Sequence, residues 1–225
     1  MTLTLTKQEK RMGGVYLLLQ MLVVPVVVSV LCVLLGITSL SAVNLIYFFL
    51  NAALALVFFR TLLRQSIQNC AGRWGQTIWT AVKGFGLYWL LSTAASVLIF
   101  ALQPDYSNIN DATVNTMIDE FPVLMPLAVV FAAPLAEECL FRGWIFTGIA
   151  RKNLPLAYLV TALCFSAVHV VDYIGSYDVR MLLLSLLQYI GPSLALCWTC
   201  RKADSLCAPL MLHMFINTIA LFTTR

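Results

Sequence analysis

The chain has 225 residues, 61% of them apolar and 11% charged, with a mean hydropathy of +0.89. Soluble globular chains run roughly 45–50% apolar and about 25% charged, so intrinsic disorder and a disulfide-stapled secreted fold are excluded. The net charge of +4, from 14 Lys+Arg against 10 Asp+Glu, is too mild for a polyanion binder, and no nucleic-acid partner is expected. What remains is an all-α, polytopic membrane helical bundle.

A spanning helix needs roughly 20 apolar residues to cross a hydrocarbon core of about 30 Å. Residues 12–59 carry no Asp, Glu, Lys or Arg, which leaves room for two spans and a turn near Gly36–Ser41. Further charge-free stretches run 84–104, 121–136, 153–171, 181–200 and 205–224. The chain order is therefore about seven spans, near 15–35, 42–59, 84–103, 123–149, 155–172, 181–200 and 206–223, in a single membrane domain over 1–225. Splitting 121–150 in two gives eight. The apolar run after Arg11 is too long for the core of a cleaved signal, although Ser39-Leu40-Ser41 offers small residues for cleavage. No lipidation signal is expected, since residue 2 is Thr and the chain ends Thr-Thr-Arg.

With the N-terminus in the cytoplasm, Lys7, Lys10, Arg11, Arg60, Arg64, Arg73, Lys83, Arg151, Lys152, Arg201 and Lys202 lie inside. Only Arg180 and Arg225 lie outside, and Arg142 falls within a span. This is a strong positive-inside bias. It predicts a multi-pass protein of the cell membrane with its N-terminus cytoplasmic. Segment 60–83 reads as the longest cytoplasmic loop, with Trp74 and Trp79 as interfacial anchors, and 104–122 as an acidic external loop.

Charged groups inside a span are costly, on the order of 2.5–3.5 kcal/mol each on insertion scales, and they mark cavities with a use for them. Glu137, Glu138 and Arg142 all fall in span four. Glu138 and Arg142 are four apart on one helix face and can neutralise each other. Glu137 points about 100° away without that partner, the free carboxylate suited to accept a proton. The chain has two histidines, His169 and His213, and both fall within predicted spans. His213 and Asn217, four apart, share a face. Counted from the nearest cytoplasmic base, Glu137, His169, His213 and Asn217 lie at depths of roughly 21, 26, 17 and 23 Å. One shared polar site is therefore geometrically possible. A carboxylate and an imidazole can share a water and take its proton, while a second imidazole and an amide donate to the developing oxyanion. Alternatively Glu137, His169 and His213 could hold Zn²⁺ with an open fourth position. The seven cysteines, including Cys197-Trp198-Thr199-Cys200, read as small buried hydrophobes.

Three motifs give this pattern a family. Glu137-Glu138-Cys139-Leu140-Phe141-Arg142 matches E-E-x-x-x-R, Phe165-Ser166-Ala167-Val168-His169 matches F-x-x-x-H, and His213-Met214-Phe215-Ile216-Asn217 matches H-x-x-x-N. In this order, on separate apolar helices, they resemble the CPBP (CAAX protease and bacteriocin-processing, or Abi) family of intramembrane proteases, which includes the type II CAAX prenyl endopeptidases. The resemblance covers a catalytic core over about 120–220. It implies water activation by Glu137 and His169, an oxyanion hole from His213 and Asn217, and support from Glu138 and Arg142. Members have been described as metalloproteases and as metal-free glutamate proteases. The site is read as needing no metal, because an Asn beside His213 suits oxyanion binding better than zinc; zinc on Glu137, His169 and His213 is the alternative. The implied partners are the lipid bilayer and a membrane-embedded or lipidated substrate, prenylated or CAAX-like, with a role in bacteriocin processing or self-immunity. The competing expectations are a catalytically inactive scaffold or immunity protein, and a proton-coupled transporter. The short stretch between His169 and His213, with room for one full span, departs from the family pattern.

Overall fold

The structure is a computed structural model that describes residues 2–223. Met1, Thr224 and Arg225 lie outside the described residues, and so does the expected external position of Arg225. Nine helices follow one another among the described residues, and no strand occurs there beyond a single bridge between Ile174 and Tyr177. They are α1 (Lys7–Leu34), α2 (Leu40–Phe58), α3 (Arg60–Cys70), α4 (Trp74–Leu102), α5 (Ile109–Glu120), α6 (Leu124–Ala150), α7 (Leu154–Val168), α8 (Val179–Ala203) and α9 (Cys207–Thr223). Their starts are locally encoded. Thr6 and Glu9 form a reciprocal capping box before α1, and Ser39, Asn108, Asn153 and Asp178 cap α2, α5, α7 and α8 with side-chain oxygens.

The all-α membrane bundle is as expected, but the count of seven spans is not confirmed. Five helices (α1, α2, α4, α6 and α8) are long and apolar enough to cross a membrane. The expected spans 155–172 and 206–223 are occupied by α7 and α9, apolar helices of 15 and 17 residues. At 1.5 Å per residue these reach about 22 and 26 Å, short of the hydrocarbon thickness. Helix α6 is one continuous element, so 121–150 is not divided into two spans. The segment 60–83 is largely helical rather than a loop. Helix α3 buries Leu62, Ser66 and Cys70 along one face, and α4 already begins at Trp74.

Two prolines shape the long helices. Pro25 and Pro134 lack the N–H that an upstream carbonyl needs, and each follows a π turn, Leu19–Val23 and Ala128–Ala132 respectively. A longer π stretch runs Glu138–Phe146, over the charged residues of α6. Such stretches often mark functional sites.

Helix α6 is the centre of the bundle. In its most apolar window 61% of residues are buried, against 6% for α4. Close helix crossings rest on glycine: a Cβ on Gly13 would lie 2.1 Å from the Trp144 ring, and one on Gly84 would lie 2.1 Å from Thr199 Oγ1. All seven cysteines are free thiols, and Cys197 and Cys200 are buried as small hydrophobes. The chain start is tied down by Thr2 and Leu3, whose backbone N–H groups donate to the Asp204 carboxylate just past α8.

Candidate active site

The site forms where α6, α7, α8 and α9 meet. Glu137 is the last residue before the π stretch of α6, and its carboxylate is 18% exposed. Its Oε2 lies 3.7 Å from His213 Nε2 and 4.0 Å from His169 Nε2, and it has no hydrogen-bond partner within the protein. Three residues from three helices therefore converge on one point.

Glu138, one position on, is buried and faces the other way. Its Oε1 accepts from Arg142 Nη1 at 2.9 Å and from His213 Nδ1 at 2.7 Å. Arg142 is fully buried; its Nη2 donates to Ser193 Oγ at 3.1 Å, and its guanidinium lies 4.4 Å from the centre of the Phe165 ring. The pair that the spacing anticipates thus serves a third group, holding the His213 ring from behind. A carboxylate on the far nitrogen is the usual way to fix a functional imidazole.

His169 sits at the C-terminal cap of α7, where helical backbone leaves carbonyls unpaired. Its Nδ1–H donates to the Phe165 carbonyl at 2.8 Å, one turn earlier. Its ring stacks on Tyr189 of α8 at 4.3 Å between centroids and 24° between planes. Both histidines therefore have Nδ1 engaged and present Nε2 to Glu137.

Asn217 lies one turn beyond His213 on α9, but its Nδ2 donates to the Val129 carbonyl at 2.9 Å. The π turn explains why that carbonyl is available. Ala133 N–H bonds Ala128 instead, and Pro134, the next residue along, has no N–H to give. One amide hydrogen of Asn217 therefore completes the α6 backbone, and the second remains for other use.

The donor types, one carboxylate and two imidazoles, suit zinc. A tetrahedral zinc site with bonds of about 2.0–2.1 Å puts its ligand atoms about 3.3 Å apart, closer than either Glu137–histidine distance here. Among the described residues no group of three His, Cys, Asp or Glu is placed to hold a metal ion.

Sequence reasoning gave no role to Tyr189, Ser193, Val129 or the Phe165 ring. Phe165 was visible in its motif, and the structure shows it touching Phe141, His169, His213 and Arg142. Tyr189, Ser193 and Val129 carry no spacing signal, because their partners lie on other helices.

Residues 119–219 match the family model described as type II CAAX prenyl endopeptidase Rce1-like. The UPF0177 protein YxdF of Lactococcus lactis subsp. lactis (strain IL1403) is 26% identical over 123 residues, 54% of this chain and 63% of that protein. The chain thus spans less than two thirds of the length of that relative. No solved structure matches. The matched region contains all three motifs and the convergence point of Glu137, His169 and His213. Over residues 119–219, rather less than half of its length, this chain is similar to the type II CAAX prenyl endopeptidase Rce1-like family.

Proposed function

We propose that this protein is an intramembrane endopeptidase that hydrolyses a peptide bond with a water activated by Glu137 and His169. The observation that carries this reading is the Glu137 Oε2 atom, unpartnered and within 4.0 Å of two imidazole nitrogens inside an apolar bundle. A water between Oε2 and His169 Nε2 loses its proton to Glu137 as its oxygen attacks the carbonyl carbon. The oxyanion is stabilised by His213 Nε2–H and the second amide hydrogen of Asn217. Glu137 then passes the proton to the leaving amine.

The anchors of the two histidines support this division. His169 donates to a neutral carbonyl, so a neutral ring keeps its Nε2 lone pair for the water. His213 donates to a carboxylate that also binds Arg142. To donate from Nε2 as well, His213 must be the imidazolium, with Glu138 as its counter-ion. Glu137 and Glu138 against Arg142 and His213 then sum to zero, the charge that a buried site tolerates best.

No metal is required in this mechanism. The natural substrate is proposed to be a membrane-associated or lipidated protein, prenylated or CAAX-like, with bacteriocin processing or self-immunity as the biological setting. The setting proposed is the plasma membrane, with the N-terminus cytoplasmic, as the Lys and Arg distribution favours.

The test is a comparison of new protein N-termini in membranes from cells expressing the wild type or Glu137→Ala at matched levels. Termini that appear only with the wild type, and persist with a chelator present, are expected. Termini lost to chelation and restored by zinc would place zinc on Glu137, His169 and His213. Identical termini from two folded proteins, in cells of the source organism, would favour an inactive scaffold or immunity protein or a proton-coupled transporter.

A further inference from the structure

Helix α5 lies outside the five long apolar helices, yet hydroxyl contacts bind it on both sides of His169. Asn108, the residue that caps α5, has its side-chain Nδ2 and Oδ1 at 3.2 and 3.4 Å from the Tyr189 hydroxyl. The same Oδ1 accepts from the backbone N–H groups of Asn110 and Asp111, so the tether and the cap are one group. Just before it, the Tyr106 hydroxyl donates to Gln188 Oε1 at 2.7 Å and sits 3.1 Å from Ser185 Oγ, both on α8. On the other side, Tyr173, in the turn that follows His169, donates to Thr113 Oγ1 of α5 at 3.0 Å. Tyr189 is where these lines meet. One end of its side chain is bonded to the start of α5, and its ring lies against the His169 imidazole.

His169 needs such a support. It follows the last residue of its helix, and besides Tyr189 it is held by one hydrogen bond to the Phe165 carbonyl and by the tilted Phe165 ring at 4.6 Å. His213, by contrast, is fixed in mid-helix by an ion-paired carboxylate. The Tyr189 ring, stacked at 4.3 Å and nearly parallel, is the closer of the two aromatic contacts and restrains the imidazole plane.

We propose that Tyr189 is a positioning residue for His169, acting by ring stacking, and that its hydroxyl couples this placement to helix α5 through Asn108. The proposal rests on the endopeptidase reading for its catalytic consequence, but its structural content can be measured without proteolysis. The full-length protein in lipid nanodiscs is treated with diethyl pyrocarbonate, and modification of His169 is followed by mass spectrometry with His213 as internal reference. Tyr189→Leu is expected to speed modification of His169 severalfold, and Tyr189→Phe, which keeps the ring, to leave it at the wild-type rate. Hydrogen exchange across 109–120 is expected to quicken in both Tyr189→Phe and Asn108→Ala. With a substrate recovered from the terminus comparison, Tyr189→Leu lowers kcat by roughly tenfold or more at similar KM, and Tyr189→Phe restores it. Unchanged His169 modification in a folded Tyr189→Leu protein overturns the positioning role. Unchanged exchange of α5 in Tyr189→Phe overturns the coupling, and this holds even if Tyr189→Leu fails to fold. Loss of cleavage by every protein including the wild type, with the modification pattern as expected, would count against the endopeptidase reading alone.

Discussion

The two sides of the site hold their histidines by different physics. On the α6–α9 side, His213 is anchored by Glu138, which is itself ion-paired to a fully buried Arg142. On the α7–α8 side, His169 is anchored by a backbone carbonyl and an aromatic face, at the end of a helix. The first arrangement fixes a charge deep in the bundle and makes site and fold interdependent. The second sets the ring against a neutral carbonyl and places it close to helix α5. The difference suits a pair in which one imidazole donates to an oxyanion and the other shares a water with a base.

Replacing each histidine is the sharpest way to break this comparison. His169→Ala and His213→Ala are both expected to reduce cleavage on the order of 10²–10⁴-fold. Both lose ring packing, but His213→Ala should lower thermal stability further, because Glu138 also loses a buried partner at a cost of about 1–3 kcal/mol. Equal stability of the two variants, in detergent melts, would show that the two sides are not held differently. Arg142→Met leaves Glu138 uncompensated at its second site and is expected to cost about 3–5 kcal/mol. The double variant Glu138→Gln, Arg142→Met should recover part of that loss, which a double-mutant cycle would read out.

Asn217→Ala is expected to show two effects together. Cleavage falls with the lost oxyanion donor, and stability falls by about 1–3 kcal/mol because the Val129 carbonyl loses the Asn217 donor. Asn217→Asp, which keeps the shape and removes both amide hydrogens, should be at least as damaging in both assays.

The smallest expected effect is at the edge of the α7–α8 side. Burial raises the Asp111 carboxyl of α5 from 3.8 to about 6. The folded state therefore holds this proton more tightly than the unfolded chain. The stabilisation is full below about pH 3.8 and is lost as pH rises through about 6. Allowing for partial exposure, the effect is about 1–2 kcal/mol. Hydrogen exchange across 109–120, corrected for its intrinsic pH dependence, should be slower at pH 5 than at pH 7.5. Asp111→Asn should remove that difference; a wild-type profile in that variant would show that another group sets it.

Much of the site was legible because its members break the rules of their surroundings. Glu137, Glu138, Arg142, His169 and His213 are out of place in apolar helices, and rise per residue alone put the carboxylate and both imidazoles at similar depths. The i, i+4 spacing of Glu138 and Arg142 anticipated their ion pair. It could not show that the same carboxylate reaches His213, 75 residues away. Tyr189 was invisible for the same reason, since an aromatic on an apolar helix is ordinary until its neighbour is known. Charge-free runs give seven spans, a count that is not confirmed, since the runs at 155–172 and 206–223 hold helices of 15 and 17 residues. Apolar composition continues past the end of α7 through Val171, but the backbone turns at His169 instead of extending the helix. Helix α3 was read as loop because its arginines mask a buried face of Leu62, Ser66 and Cys70.

The most direct test of the account is the cleavage rate of purified, lipid-reconstituted wild type against Glu137→Gln, on a substrate identified from the new termini. Glu137→Gln keeps the size of the side chain and removes its negative charge together with its capacity to take a proton. The account predicts a loss on the order of 10³-fold or more in a protein that still folds. Cleavage by Glu137→Gln within about threefold of the wild-type rate would contradict it, because among the described residues Glu137 is the carboxylate placed near both histidines.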